Sequence, residues 1–177
     1  MRRMRRKGRD GSAAIEFAFV APVFFIFLMG IMEVGIMFLA QFTLQNATDD
    51  AARMIRTGQV ALNNMSQEQF RQYICNKISP ILQCDGNLLI DVETYADFAS
   101  ADFADPLKKN GTLKVNKLNN YDPGTVCSIV LVRSLYVWEV ATPLLSPFMV
   151  NMADDNHLIS ATAAFRNEPY TTGVGGC

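Results

Sequence analysis

A long apolar run near the N-terminus dominates the pattern of hydrophobic and polar positions along this chain. Residues from Phe17 to Met32 include no charged side chain, and after Glu33 the sequence is apolar again as far as Ala40. A helix needs about 20 apolar residues to cross the hydrocarbon core of a bilayer, and this run reaches that length only if Glu33 is tolerated. The pattern therefore predicts a membrane helix with two carboxylates, Glu16 and Glu33, in or beside it.

The helical pattern continues beyond the apolar run. Apolar side chains recur at helical spacing between residues 41 and 57. Gly58, the next residue, is a natural end for the helix. One helix over residues 13–57 would be roughly 65 Å long at 1.5 Å per residue. This length exceeds the thickness of a membrane, so the C-terminal part of the helix is expected to project into the rest of the protein.

The remaining sequence predicts a small α+β domain. Ser66 and Gln69 have the spacing of a capping box, which opens a second helix with an apolar face. Strand patterns occur over residues 88–95, within 125–140 and over 157–166, whereas residues 96–120 have the turn signals of a loop. Arg133 and Glu139 interrupt the longest strand and are expected at exposed positions. The predicted fold is a long membrane-spanning helix followed by a domain with a second helix and a three- or four-stranded antiparallel sheet.

Charge divides the chain unevenly. The formal net charge is −1, but the first nine residues contain six basic side chains, so the remainder is clearly acidic. Basic residues beside a membrane helix favour the cytoplasmic side, and we interpret the cluster in this way rather than as a nucleic-acid site. The predicted organisation is a basic cytoplasmic leader (1–11), a long helix (12–58), an exported α+β domain (59–170) and a flexible tail (171–177).

Four cysteines lie in the part of the chain that is expected to be exported, where disulfides form and persist. Cys75 and Cys84 are close in sequence and flank a predicted helix end, so we favour this pair and, by consequence, Cys127 with Cys177. Four cysteines allow three pairings, and a free Cys177 is the alternative. A zinc site is not expected, because there is no Cys-x-x-Cys pair and His157 is the only histidine.

No pattern in the sequence indicates catalysis. There is neither a glycine-rich phosphate loop nor an HExxH motif, and we expect no enzyme activity, cofactor or metal. His157 beside Asp154 and Asp155 suggests a dyad, but a surface histidine at a strand start is the interpretation that we favour.

The N-terminal residues resemble a known family. Gly11-Ser12-Ala13-Ala14-Ile15-Glu16-Phe17-Ala18 follows the basic leader, and Ala21-Pro22-Val23 and Gly30-Ile31-Met32-Glu33-Val34-Gly35 come later. These motifs resemble the N-terminal signature of TadE-like pseudopilins, which are minor components of the tight-adherence (Tad, or Flp) pilus system. The C-terminal run Phe165-Arg166-Asn167-Glu168-Pro169-Tyr170 is similar to the way in which many of those proteins end.

The resemblance implies a function in assembly. It implies cleavage by a prepilin peptidase between Gly11 and Ser12, with Glu16 at the fifth position of the mature protein and Phe17 next. In the family, the glutamate pairs with the new N-terminal amine of its own or a neighbouring subunit. The expected role is that of a minor pilin or pseudopilin in biogenesis of a Tad pilus, which supports adhesion and biofilm formation.

The same resemblance implies partners and a location. The partners would be the membrane, the prepilin peptidase, other pilin or pseudopilin subunits and inner-membrane platform proteins of the Tad system. The protein would lie in a bacterial inner membrane with its domain in the periplasm, and incorporation into an extracellular pilus is a further expectation. The alternative function is an uncleaved, single-pass periplasmic binding or scaffold protein of an assembly platform.

Glu33 has two interpretations. A carboxylate within apolar sequence usually faces a partner or a wet cavity, and Gly30 and Gly35 beside it would permit close helix packing. Alternatively, Glu33 lies at the far interface of the membrane and extends toward the headgroups.

Overall fold

The computed structural model describes residues 10–79, 81–84, 86–142, 146–170 and 177. The predicted leader (1–9) and most of the predicted tail (171–176) lie outside the described residues. Within these described residues, eight elements follow one another. They are α1 (Asp10–Arg56), α2 (Gln59–Leu62), α3 (Gln67–Ile78), β1 (Leu88–Tyr95), a 3-10 turn (Val115–Lys117), β2 (Ile129–Glu139), α4 (Ser146–Met149) and β3 (Asn156–Arg166).

The architecture is the predicted α+β arrangement. Helix α1 runs without a break through Pro22 and ends at Arg56, one residue before the predicted end. The strands form a three-stranded antiparallel sheet in the order β1-β2-β3. The three segments that showed strand patterns are therefore the three strands of this sheet, and residues 96–120 connect β1 to the chain before β2 without a further strand in the sheet.

Local chemistry explains where the second long helix begins. The Ser66 hydroxyl accepts a hydrogen bond from the backbone N–H of Gln69, and the Gln69 side chain accepts one from the N–H of Ser66. These reciprocal bonds satisfy N–H groups that have no partner inside the helix, so the predicted capping box is confirmed. The apolar face of α3 then turns inward, and Phe70, Ile74 and Ile78 are fully buried.

The main hydrophobic core lies between the helices and one face of the sheet. Alternate residues of each strand point to this face, as the two-residue period of a strand requires. The core residues on α1 recur every three or four positions and lie on one stripe: Ala40, Leu44, Ala47, Ala51 and Ile55. Those on the sheet are Leu88, Ile90, Val92, Val130, Val132, Tyr136, Ile159 and Ala161. The C-terminal half of α1 is therefore a structural part of the domain.

The opposite face of the sheet holds a buried ion pair, which corrects one prediction from the sequence. Arg133 was expected at an exposed position, but it is buried opposite Asp91 in the antiparallel register. The guanidinium donates to Asp91 through Nη2 at 2.7 Å and through Nε at 3.1 Å. The other carboxylate oxygen of Asp91 accepts from the backbone N–H and the side-chain amide of Asn120. The loop that follows β1 thus buries both charges.

The cysteines form two pairs. Cys75 and Cys84 have Cα atoms 5.7 Å apart, and those of Cys127 and Cys177 are 5.4 Å apart. Both pairs have the partners that the sequence favoured. The first links the C-terminal turn of α3 to the chain before β1. The second attaches the last residue of the chain to the segment before β2, so Cys177 is tied to the domain.

Candidate functional site

Helix α1 has two parts with different surroundings. Residues 11–32 extend over about 33 Å at 1.5 Å per residue, close to the thickness of a bilayer core of about 30 Å. Among residues 11–32 only Gly30 is buried. The large apolar side chains of this part are mostly exposed. Residues 33–56 instead present their buried stripe to the domain. Helix α1 is apolar and long enough to cross a membrane, and the exposed N-terminal part is the segment available to do so.

The residues of the expected processing site lie on the first turns of α1. Gly11, Ser12, Glu16 and Phe17 are all exposed. The Ser12 hydroxyl donates a hydrogen bond of 3.2 Å to a carboxylate oxygen of Glu16, one helical turn further along. A Cβ built on Gly11 meets no atom within 4 Å. The segment is therefore accessible, and Ser12 and Glu16 share one face of the helix.

Glu33 lies at the boundary between the two parts of α1. It is only 6 % exposed, and its carboxylate accepts two backbone hydrogen bonds from the segment that follows β2. The N–H of Ala141 donates to Oε1 at 2.6 Å, and the N–H of Thr142 donates to Oε2 at 3.0 Å. Bonds from N–H groups to a charged acceptor are among the stronger hydrogen bonds in proteins. Glu33 therefore fastens the domain to α1 at the end of the exposed apolar part.

The two glycines near Glu33 do not share a helix face. Five residues at 100° each place Gly35 about 140° around the helix from Gly30. Gly30 is buried and lines a groove with Phe148 and Met149 of α4, whereas Gly35 is exposed and a Cβ there would meet no atom within 4 Å. Gly35 therefore leaves its part of the helix surface open to another molecule, whereas Gly30 lies at the bottom of a groove beside α4.

The C-terminal motif packs on the end of α1. The backbone N–H of Glu168 donates to the carbonyl oxygen of Arg56 at 2.9 Å, and the two side chains form an exposed ion pair at 3.3 Å. Gly58 has φ +76°, and the ring of Tyr170 lies so close that a Cβ on Gly58 would overlap it. Glu168 thus caps one of the free carbonyl groups of the helix end.

Asn167 completes this connection. Its side-chain amide donates to the carbonyl oxygens of Pro123 and Thr125, and its backbone N–H donates to that of Ser128. The side chain is buried, although it follows an exposed residue at the end of β3. The C-terminal run that carried part of the family resemblance therefore packs on the C-terminal end of α1, about 30 Å along the helix from Gly35 at 1.5 Å per residue.

This arrangement of helix and domain can be compared with known families. The TadE-like protein family matches residues 11–53. The recognition that the sequence motifs suggested is thereby confirmed. The TadE-like segment covers the exposed apolar part of α1, Glu33 and most of the buried stripe, and it associates the protein with a membrane and with the Tad pilus system. No curated protein and no solved structure matches the chain.

The TadE-like match begins at Gly11, the glycine that precedes the expected cleavage point. It ends at Arg53, three residues before the end of α1. The α+β domain beyond Arg53 lies outside the match. The backbone N–H groups of residues 141–142 donate to Glu33 within the matched segment, whereas Glu168 caps α1 at Arg56, three residues beyond the match.

The lone histidine does not form the dyad that its neighbours suggested. The Nδ1 atom of His157 lies within hydrogen-bond distance of the carbonyl oxygen of Met149. Asp154 and Asp155 are exposed, and both have positive φ values in the turn before β3. Among the described residues, no group of three His, Cys, Asp or Glu side chains is placed to hold a metal ion.

Ionisable side chains elsewhere support the docking of the elements. Lys77 on α3 donates to Asp50 on α1 at 2.7 Å, and this hydrogen bond raises the pKa of Lys77. Burial raises the pKa of Tyr121 to about 12, and its hydroxyl donates to the carbonyl oxygen of Met65. The first interaction joins α3 to α1, and the second joins the loop before β2 to the chain before α3. Neither lies on the exposed part of α1.

Sequence reasoning missed the partners of Glu33. Residues 141 and 142 donate through backbone N–H groups, which any residue except proline carries. Their side chains therefore give no signal in the sequence. The one available indication was the carboxylate itself, since a charged group within an apolar helix requires a polar partner.

Proposed function

We propose that this protein is a TadE-like minor pilin or pseudopilin that is processed by a prepilin peptidase after Gly11 and takes part in biogenesis of a Tad pilus. The observation that carries the proposal is the family match, which starts at Gly11 and covers an exposed apolar helix of membrane length. In this proposal the domain is periplasmic, as the basic leader favours. Support of adhesion and biofilm formation would follow from the pilus.

The geometry around Glu16 supports this proposal. Cleavage after Gly11 would give Ser12 a free α-amine, one helical turn from Glu16 and on the same face, where the Ser12 hydroxyl already reaches the carboxylate. An ammonium and a carboxylate attract each other strongly where water is scarce. The pair would therefore form within one subunit or between neighbours, and it would favour one register of packed helices. Phe17 beside it is 70 % exposed and available to a peptidase or a neighbouring subunit.

The test of processing is the N-terminus of the protein extracted from membranes of cells with an active prepilin peptidase. Terminal peptide mass spectrometry should find Ser12 as the first residue in the wild-type protein and in Gly8→Ala. Gly11→Ala should retain the leader. The Gly8→Ala variant is the matched control, because it changes the other glycine of the same basic segment.

A wild-type protein that retains residues 1–11 would overturn the processing step. The protein would then be the uncleaved, single-pass scaffold that the sequence left as an alternative. Cross-linking in the membrane, before and after loss of the pilus subunits, would show whether it contacts pilins or only platform proteins. A Glu16→Gln variant that is cleaved but no longer cross-links to other subunits would support the proposed pairing.

A further inference from the structure

A short apolar segment of the domain lies beside α1 where the exposed part of the helix ends. Helix α4 carries Phe148, which is 87 % exposed, and Met149. Together with α1 these residues form a groove of ≈ 420 Å³. Its lining is apolar throughout: Ile26, Phe27, Gly30, Ile31, Val34, Phe148 and Met149.

The level of α4 along α1 can be derived from a second groove. This groove has a volume of ≈ 280 Å³ and continues along α1 to Phe38 and Gln41. Phe148, Met149 and Val34 line both grooves, so α4 lies level with Val34. Ile26, at the far end of the first groove, lies about 12 Å closer to the N-terminus at 1.5 Å per residue. The first groove therefore extends into the part of α1 that matches a membrane span.

Hydrogen bonds hold α4 at this level. Glu33 accepts from the N–H groups of Ala141 and Thr142, which fixes the segment after β2 beside the boundary of the span. The N–H of Ser146, the first residue of α4, donates to the carbonyl oxygen of Thr142 at 3.1 Å. Phe148 is therefore exposed although the helix that carries it is held in place by hydrogen bonds.

We propose that α4 is a second, interfacial membrane anchor. Phe148 and Met149 insert at the boundary between headgroups and acyl chains, and acyl chains fill the groove between Phe148 and α1. The occupant is lipid because the groove is continuous with the exposed face of α1 from Ile26 to Ile31, which lipid surrounds when the helix spans the membrane. Interfacial elements bury an apolar face about 5–10 Å into this boundary, which matches the level of α4.

The anchor would give the domain a fixed orientation on the membrane. A single spanning helix tilts by about 20° on average, and its angle is set by its packing and its interfacial side chains. Contact at both α1 and α4 restrains this tilt, and it holds the sheet at one angle to the bilayer. The inference rests on insertion of α1 in a membrane and is independent of cleavage after Gly11 and of any role in a pilus.

Depth-dependent fluorescence quenching of the full chain in lipid nanodiscs tests the inference. Trp138 is the only tryptophan, so Trp138→Phe provides a background without tryptophan fluorescence. In this background Phe148→Trp and, as a second reporter, Met149→Trp would be compared with two controls. Phe27→Trp lies within the expected span. Phe103→Trp is the control for exposure to water. The native Phe103 is 61 % exposed and lies on the loop that covers the other face of the sheet.

Phospholipids brominated near the headgroup end of the acyl chain should quench Phe148→Trp several-fold, comparably with Phe27→Trp. Aqueous iodide should quench it little. Strong quenching by iodide and none by brominated lipid, as expected for Phe103→Trp, would overturn the inference. Resistance to both quenchers would also overturn it, because protein, such as a second copy, would then cover the groove. If Phe27→Trp is not quenched by lipid, α1 does not span the membrane and the inference falls with that premise.

Discussion

Replacing Glu33 by alanine tests whether this side chain fastens the domain to the membrane helix. In the native protein the carboxylate accepts two backbone hydrogen bonds, from Ala141 and Thr142. Each hydrogen bond to a charged group contributes about 1.5–3 kcal/mol. Using the lower value for a group at the edge of the domain, loss of both bonds costs about 3 kcal/mol. Since each 1.4 kcal/mol is a factor of ten, this corresponds to about 100-fold in the local closing equilibrium.

Hydrogen–deuterium exchange of the full chain in nanodiscs measures this local equilibrium directly. The amides of Ala141 and Thr142 should be protected in the wild-type protein and should exchange about 100-fold faster in Glu33→Ala. Glu33→Gln should lie between them, because its amide group retains one acceptor oxygen but also presents a donor to an N–H group. The amides of the core strand β2 should change little, since their ladder partners on β1 and β3 are unaffected.

Glu139→Ala is the matched control. This residue is a glutamate at the exposed end of β2, two positions before Ala141, and its replacement should leave the exchange of residues 141 and 142 unchanged. Two results would refute the reasoning. One is rapid exchange of both amides in the wild-type protein. The other is full protection in Glu33→Ala, which would show that other contacts hold this segment to α1.

Three further predictions concern the α+β domain. Asp91→Ala should lower the free energy of unfolding by about 3–5 kcal/mol, because it leaves a buried guanidinium without its carboxylate. Arg133→Met should lower it less, since the Asp91 carboxylate keeps two amide donors. Urea unfolding of the two variants measures the difference. Gly58→Ala should lower the melting temperature, because its Cβ would overlap the ring of Tyr170, and Tyr170→Ala in the same background should restore the part caused by this overlap. Burial raises the pKa of Tyr121 from 10.0 to about 12. The stability that the protonated Tyr121 contributes is therefore complete below pH 10.0 and is lost as the pH rises to about 12. Tyr121→Phe should make the free energy of unfolding less dependent on pH in this range.

Each of these three predictions is decided by comparing a variant with the wild type or with a second variant. Equal losses for Asp91→Ala and Arg133→Met would contradict the assignment of the extra donors to the carboxylate. A Gly58→Ala protein that melts like the wild type would show that the Tyr170 ring can move away at no cost. An unchanged alkaline slope in Tyr121→Phe would assign the loss of stability to other groups, among them Tyr95, whose pKa burial also raises to about 12.

The family assignment and the course of α1 could be predicted because their signals are local. The N-terminal family motif, the apolar run and the helical spacing to residue 57 lie within one continuous stretch, and the structure contains a helix over Asp10–Arg56. The capping box at Ser66 is also a local device, four residues long, and both of its hydrogen bonds are present. Alternation of apolar residues identified all three strands, because one face of each is buried in the core.

The environment of Arg133 shows where such local signals fail. A charged residue in a strand is exposed in most proteins, and the sequence pattern followed that rule. Its burial depends on Asp91, 42 positions earlier, lying directly opposite in the register of β1 and β2. It also depends on a loop that brings Asn120 to the same carboxylate. Spacing along the chain carries no information about either contact.

The sequence by itself determined the long helix, the capped helix, the three strands and the segment that can span a bilayer. The tertiary structure alone decided where that segment ends. Glu33 was compatible with a buried partner or with an exposed interface, and the structure placed it against two backbone N–H groups more than 100 positions away. The physical reason is that backbone N–H donors carry no sequence signature. A carboxylate in an apolar helix indicates that a polar partner is needed, but only the fold determines which partner binds it.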